Sequence, residues 1–380
     1  MSQRTPPICM SDMKPLCVAH IELGAHLYGG AQQVLYLLEE LSKAEVHSVL
    51  ICPEHSAVGE VAREAGIEVE AIPYRGDLDW RATKRIVKIL TRHQVDLVHV
   101  HSRRGADVWG GLAARKHGLP CVLSRRVDNH ERSWAVAAKY RLYDHVIAIS
   151  EGIRDVLIAD GLAPGKVSCV RSAVDWERFQ QPADKSGLAS RFDLPKDAMV
   201  IAIAAQLIPR KGHDVLLEAL PDLVARWPKL RVLVMGKGPS ESAIREQIRT
   251  LDLGRHVQLV GFVEDLEHVL PSLDFLVHPA RTEGLGVVLL QAASAGIAVI
   301  ACDAGGMPEA VIDQETGMLV PPDDVGALMA AMESLLSDPE RAQAYGAKGR
   351  ERMLAAFSIA AMAQGNANVY RELMAARSGG

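Results

Sequence analysis

An α/β protein of two doubly wound, parallel-sheet domains facing each other across a cleft is the fold this sequence predicts. Three observations carry that expectation. Short apolar runs alternate with stretches of helical periodicity from Leu16 almost to the end, the order of a parallel sheet covered by helices. Several apolar runs exit into glycine loops, which let the chain turn sharply from strand to helix. The alternation stops in a stretch of mixed polarity with Pro182 and Pro195, Gln180 to Asp197, and then restarts. With 380 residues the chain reads as two domains, 1–185 and 186–380, joined by that linker.

In the first half, Leu16 to Ile21 is an apolar strand. Its loop ends in Gly29-Gly30, and Ala31 to Ser42 places Val34, Leu35, Leu38 and Leu41 on one helical face. Strand Val46 to Cys52, helix Ser56 to Ala65 ending at Gly66, and strand Glu68 to Ile72 follow. Asp79 to His93 reads as an amphipathic helix with Arg81, Lys84, Arg85, Lys88 and Arg92 along one face, either a solvated surface or a contact for anionic lipid headgroups. The strand Val95 to Val100 sets His99 and His101 on one side and leads into Ser102-Arg103-Arg104-Gly105. A helix, Asp107 to His117, stops at Gly118, and Pro120 blocks its continuation. Strand Cys121 to Ser124 exits into Arg125-Arg126. Ligands of α/β sheets bind at the carboxyl edge of the strands. The arginine-rich exits therefore read either as surface loops or as an acceptor site, in which Arg103, Arg104, Arg125 and Arg126 grip phosphate or acidic sugars through bidentate contacts. Strand His145 to Ser150, helix Ile153 to Ala159 and strand Val167 to Val170 complete this half.

The second half opens with strand Met199 to Ala205 and the exit loop Gln206 to Gly212, then helix His213 to Arg226. Strand Arg231 to Met235, the Gly236 turn, helix Ser240 to Leu251, strand Val257 to Val260 and a short helix Asp265 to Leu270 follow. Strand Asp274 to His278 enters a polar loop with Glu283, Gly284 and Gly286. An apolar helix, Val287 to Ala295, is broken at Gly296, and strand Ala298 to Cys302 runs into Gly305-Gly306. Strand Gly317 to Val320 and three helical stretches, from Val325, Glu340 and Ser358, close the chain.

Composition narrows the function. A net charge of −5 gives no support to nucleic-acid binding. Charge is uneven, though: Arg81 to Arg141 holds 14 Lys/Arg against 4 Asp/Glu, whereas residues from Ser186 onward hold 18 against 24. The basic region suits an anionic partner. The 6 cysteines have no paired spacing and read as reduced core residues of a cytosolic protein. Met1 to Lys14 is polar with two prolines and reads as a loose tail, not a signal peptide. Gly284 to Cys302 approaches the length of a membrane span, but Gly296 splits it into helix and strand, and Gln291 and Ser294 interrupt it. No Asp/His cluster offers an evident magnesium or zinc site.

The segment Val277 to Pro308 carries the chemistry. Two strand–glycine–helix crossings lie side by side, each offering backbone N–H groups to an anion, as a diphosphate requires. Glu283 and Gln291, eight apart, are expected about two helical turns from each other on one side, one for a sugar hydroxyl and one for a ribose. The segment resembles the donor-site signature of family 4 glycosyltransferases: Glu, seven residues, Glu, then a strand and a Gly-Gly-x-Pro-Glu turn. Here these are Glu283, Gln291 in place of the second glutamate, and Gly305-Gly306-Met307-Pro308-Glu309. Ile149-Ser150-Glu151-Gly152-Ile153 and Ser172 to Phe179 are similar to the same family, as is Gly29-Gly30 after the first strand.

The resemblance implies the GT-B fold, with the last helix, 358–377, packing back on the first domain. It implies transfer of a hexose or heptose from a nucleoside-diphosphate sugar, with retention of configuration and without metal or other cofactor. The acceptor would be a glycolipid or lipopolysaccharide-type glycan at the cytoplasmic membrane face, the enzyme being cytoplasmic and peripheral. By position in the motifs, Lys211 is the phosphate lysine. Gly29, Gly30, Leu285 and Gly286 add N–H groups, and Glu283, Gly284, Gln206, Arg210 and Gln291 complete the donor site. His101, Glu283 and Lys211 are the catalytic candidates. Gln206 and Gln291 each stand where the family carries a charge, and Arg210 is placed to restore one positive charge. Two other readings remain: a nucleotide-sugar epimerase of the same fold, and a non-catalytic nucleotide-sugar-binding protein.

Overall fold

The computed structural model describes residues 15–27, 29–43, 46–101, 105–132, 136 and 138–378. Two parallel α/β sheets organise the chain. The first is built from β1 (Leu16–Ile21), β2 (Val46–Pro53), β3 (Glu68–Ile72), β4 (Leu97–Val100), β5 (Cys121–Arg125), β6 (His145–Ala148) and β7 (Val167–Cys169), in the order β3-β2-β1-β4-β5-β6-β7. Helices α1 (Gly29–Leu41), α2 (Ala57–Glu64), α3 (Ala82–Arg92), α4 (Ala106–His117) and α5 (Glu151–Ala159) form its crossovers. The order reverses between β1 and β4, and their register sets His20 directly beside His99.

After α6 (Lys185–Arg191) comes the second sheet: β8 (Met199–Ala204), β9 (Leu230–Met235), β10 (Val257–Gly261), β11 (Phe275–His278), β12 (Ala298–Cys302) and β13 (Gly317–Val320), ordered β10-β9-β8-β11-β12-β13. It is served by α7 (His213–Arg226), α8 (Glu241–Thr250), α9 (Leu266–Val269), α10 (Val287–Ser294), α11 (Met307–Ala310), α12 (Val325–Ser337) and α13 (Pro339–Ala356), and the last helix, α14 (Ile359–Ser378), belongs from 363 onward to the unit of the first sheet, where Tyr370 Oη lies 2.6 Å from His99 Nδ1. In the second sheet the reversal falls between β8 and β11. Loops at such a reversal diverge to opposite faces and leave a crevice at the strands' carboxyl ends.

Among the described residues, five helices start where a side chain accepts from the free N–H groups of the first turn. Ser56 accepts from Gly59 N at 3.3 Å, Ser150 from Ile153 N at 3.1 Å and Asp324 from Ala327 N at 2.8 Å. Strands β4, β5, β11 and β12 are buried along their whole length, as strands covered on both faces must be. Two departures from the expected elements have local causes. The interval read as a linker contains α6, which Asp184 caps by accepting from Gly187 N at 2.8 Å. The basic helix begins at Ala82, because Asp79 is buried and accepts from Arg75 N at 3.1 Å and from Arg85 at 2.8 Å, holding 75–80 as a turn.

By contacts the chain divides into two compact units, 1–124 with 138–146 and 363–380, and 125–137 with 147–362. In the first, Ala31, Val34, Leu35 and Leu38 of α1 pack with Leu50, Cys52, Val58 and Ala62. In the second, one core runs from Val174 to Phe357 around the six-stranded sheet. Five described cysteines are free, four of them buried; Cys9 lies outside the described residues.

Candidate active site

The loops leaving β8 and β11 meet at the reversal of the second sheet. Lys211 Nζ and Glu283 Oε2 are in direct contact there, a nearly buried ion pair. Gly212, at φ 69°, follows the lysine. A Cβ at that position would run into the Pro279 carbonyl, so the two loops approach backbone to backbone. His213 opens α7 beneath the lysine, and His278 ends β11 beneath the glutamate; both rings are buried. His278 Nε2 lies 3.7 Å from Glu283 Oε2.

This surrounding fixes the charges. Burial pushes the Glu283 carboxyl up, but the His278 side chain and the Lys211 ammonium outweigh it and hold the pKa at about 2. His213 is lowered to about 4, first by burial and then by His278 nearby. His278 is lowered by burial, against the pull of Glu283. At neutral pH the site therefore presents one fixed anion and one cation over two neutral imidazoles.

Glu283 sits in the loop, four residues before Val287 begins α10, and Gly286 at φ 82° separates them. The expected two-turn spacing from Gln291 therefore does not hold: a left-handed residue cannot continue an α-helix, so only the half-buried Gln291 is helical. Gly305 and Gly306 lie against this loop. Gly306 N donates to Glu283 O at 2.8 Å, and a Cβ on Gly305 or Gly306 would strike the carbonyl of Glu283 or Gly284. Glu309 ties the turn down, accepting from Gly152 N at 3.0 Å and from Arg171 Nε at 2.9 Å. Leu285 is buried in the core, and Gly284 and Gly286 on either side of it are buried as well.

Around the pair, Asp128 accepts from Arg210 NH1 at 3.1 Å and from Thr282 Oγ1, clasping both loops. Arg281 donates to Asp214 at 2.7 Å and pairs with Asp323 at 2.7 Å. Gln206 is exposed on the β8 exit. Arg125 is buried, donating to Asn129 O at 2.8 Å with Glu131 at 3.4 Å, so its guanidinium braces its own loop. The Arg126 carbonyl abuts Gly284. Arg103 and Arg104 lie outside the described residues.

His101 is not near these groups in sequence or in unit. It stands at the end of β4 with His20 and His99, all three buried. One ligand atom from each lies within 4.8 Å of the others, the spacing of a possible metal tripod. Hydrogen bonds already engage them: His20 Nδ1 and His101 Nε2 are 2.9 Å apart, and His99 lies 2.6 Å from Tyr370 Oη and 2.9 Å from Ser124 Oγ. Gly29 and Gly30 open α1 after β1, with open space around Gly29.

Sequence reasoning reached Lys211, Glu283 and the glycine turns through their motif. It missed His278, His213 and Asp128, which the fold gathers around the Lys211–Glu283 pair, and His20, which strand order sets beside His99 in the first sheet. The available signal was positional, for His213 directly follows Lys211-Gly212 and His278 ends the strand before the Glu283 loop.

Comparison with known proteins bears on family and fold. Residues 188–352 match the model of glycosyl transferases group 1, and residues 28–178 that of glycosyltransferase family 4. The chain is 35% identical over 325 residues to a GDP-mannose-dependent alpha-(1-6)-phosphatidylinositol monomannoside mannosyltransferase of Mycobacterium tuberculosis, covering 78% of this chain and 81% of that protein. It is 36% identical over 209 residues to a Corynebacterium glutamicum GDP-mannose-dependent monoacylated alpha-(1-6)-phosphatidylinositol monomannoside mannosyltransferase, covering 52% of this chain and 54% of that one. Among solved structures, the Anabaena protein HepE in complex with UDP and glucose superposes with a TM-score of 0.82 at 18% identity, over 93% of this chain and 99% of that one.

Proposed function

Since the chain belongs to the group 1, family 4 glycosyltransferases and has their GT-B fold, we propose that it transfers a hexose from a nucleoside-diphosphate sugar to a glycolipid acceptor, retaining the anomeric configuration and using no metal. The observation that carries this reading is the Lys211–Glu283 pair, locked between two glycine turns at the reversal of a parallel sheet. Lys211 would meet the charge that builds on the departing diphosphate. The N–H groups at the start of α10 would share it. Glu283, held as an anion by its neighbours, is an acceptor for donor-sugar hydroxyls throughout the physiological range.

The named relatives support a finer assignment. The relatives at 35% and 36% identity are named for GDP-mannose and for phosphatidylinositol mannosides, which favours GDP-mannose as the donor and a phosphoinositide-type glycolipid as the acceptor. Of the acceptors expected from the sequence, a glycolipid or a lipopolysaccharide-type glycan, that assignment takes the glycolipid. The leaving phosphate oxygen can accept the acceptor's hydroxyl proton on the same face of the sugar, so no protein base is required.

The test pairs thermal stabilisation with slow donor hydrolysis, using GDP-mannose, UDP-glucose and ADP-glucose. The reading expects stabilisation by one nucleotide sugar and hydrolysis that disappears in Lys211→Ala and Glu283→Ala. Stabilisation by none of the three sinks it. Stabilisation without turnover, even with glycolipid acceptors added, indicates a binding protein instead.

A further inference from the structure

Among the described residues, four of the six exposed large apolar side chains lie in one corner of the first unit: Leu78, Trp80, Val108 and Leu112. Leu78 is 89% exposed and Trp80 57%, in the turn that enters α3; Val108 and Leu112 are one turn apart on α4. The corner is fixed, not frayed. Trp109 Nε1 donates to the Asp77 carbonyl at 2.9 Å, and Thr83 Oγ1 donates to the Trp109 carbonyl at 3.4 Å. The buried Asp79, bonded to Arg85, holds the turn that projects Leu78 and Trp80.

Cations ring these side chains. Arg81 lies 5.6 Å and Lys84 5.9 Å from the centre of the Trp80 ring. Lys88 continues the exposed face of α3, and Arg115 and Lys116 that of α4. Among the described residues, none of these five has a carboxylate partner, whereas Arg85 and Arg92 pair with Asp79 and Glu70. Within residues 73–92 and 106–117, Asp77 is the one exposed carboxylate.

We propose that this corner docks the enzyme on an anionic bilayer surface, with Trp80 and Leu78 entering the headgroup region and the five cations lying over lipid phosphates. A rigid Trp–Leu projection flanked by lysines fits an interface that is apolar below and anionic at its rim. A second copy of the chain fits poorly, because a two-fold contact would set the same uncompensated cations against each other. The inference rests on the lipid-linked acceptor of the proposed reaction, which places the chemistry at a membrane. Hydrolysis of a soluble donor needs no vesicle, so the two can fail separately.

The experiment is vesicle co-sedimentation of the full chain. Phosphatidylcholine vesicles are compared with vesicles carrying about a third phosphatidylglycerol, at low and high salt. The proposal expects binding to the anionic vesicles alone, weakened by salt. Leu78→Ser with Trp80→Ser, and separately Lys84→Glu with Lys88→Glu, should each weaken it roughly tenfold or more, with melting temperature and donor hydrolysis unchanged. Phe262→Ser, which removes an exposed apolar side chain elsewhere, should leave binding intact. No binding to anionic vesicles at low salt, equal binding to neutral ones, or full binding by both double variants would overturn it. So would a concentration-dependent dimer that the Leu78/Trp80 variant abolishes.

Discussion

Lys211 and Glu283 neutralise each other in a site from which most water is excluded, and that pairing governs what either can do for a bound donor. Removing the ammonium takes away a preorganised positive charge, and groups of that kind are worth roughly 10²–10³ in kcat. Lys211→Ala should therefore lower kcat by about that factor while the fold persists, a loss read from initial rates beside a melting curve. The same substitution strips Glu283 of one of the two neighbours that hold its pKa at about 2, so the carboxyl's midpoint should rise, as carboxylate-resolved NMR titration would show. Asp128 makes a different prediction. It holds Arg210 and Thr282 together and touches neither Lys211 nor Glu283 by hydrogen bond. Asp128→Asn should raise the donor KM more than it lowers kcat, because the loops lose their clasp and the charged pair stays.

At the scale of single elements, the exit of β8 depends on one residue. Gly212 is left-handed, and its α-carbon faces the Pro279 carbonyl. Gly212→Ala should cost roughly 1–3 kcal/mol, the usual range for strain at a positive φ, and more if the Pro279 loop cannot move aside; denaturant unfolding measures it. A comparable Gly165→Ala substitution, with open space around it and φ outside the left-handed range, should change little. Strands and long helices were legible in the sequence because burial on both faces leaves uninterrupted apolar runs. The short α6 was not, because its seven residues are mostly polar and its start depends on a cap at Asp184. The placement of Glu283 failed for a related reason. Counting residues from Glu283 to Gln291 assumes one continuous helix, and the backbone at Gly286 denies it. Lys211 and Glu283 could be read from their motif, but His278 and Asp128 gain meaning only once the folded loops bring 128 onto 210 and 282 and the end of β11 under Glu283.

Across the whole molecule, buried imidazoles make stability sensitive to mild acid. His20 is lowered to about 3 and His213 to about 4, both chiefly by burial, against 6.5 for a free side chain. Folded, they stay neutral; unfolded, they bind protons below pH 6.5. The unfolded state therefore gains protons first, and stability falls as the pH drops from 6.5 toward 4. Glu283 acts lower down: its contribution is complete at neutral pH and is lost as the pH falls through the carboxylate range toward 2. Melting temperature should accordingly decline below pH 6.5, with a shallower slope in His20→Asn than in the parent; equal slopes would remove His20 from the account. The contacts among main-chain atoms at Gly305, Gly306 and the 283–284 carbonyls have a further meaning for ancestry. Where peptide rests on peptide there is no rotamer to freeze when a ligand arrives, and no side chain for drift to exchange. That part of the fold is heritable only as a whole, so under the proposed function a change of donor would fall to side chains, with Gln206 and Gln291 as the candidates the sequence offers.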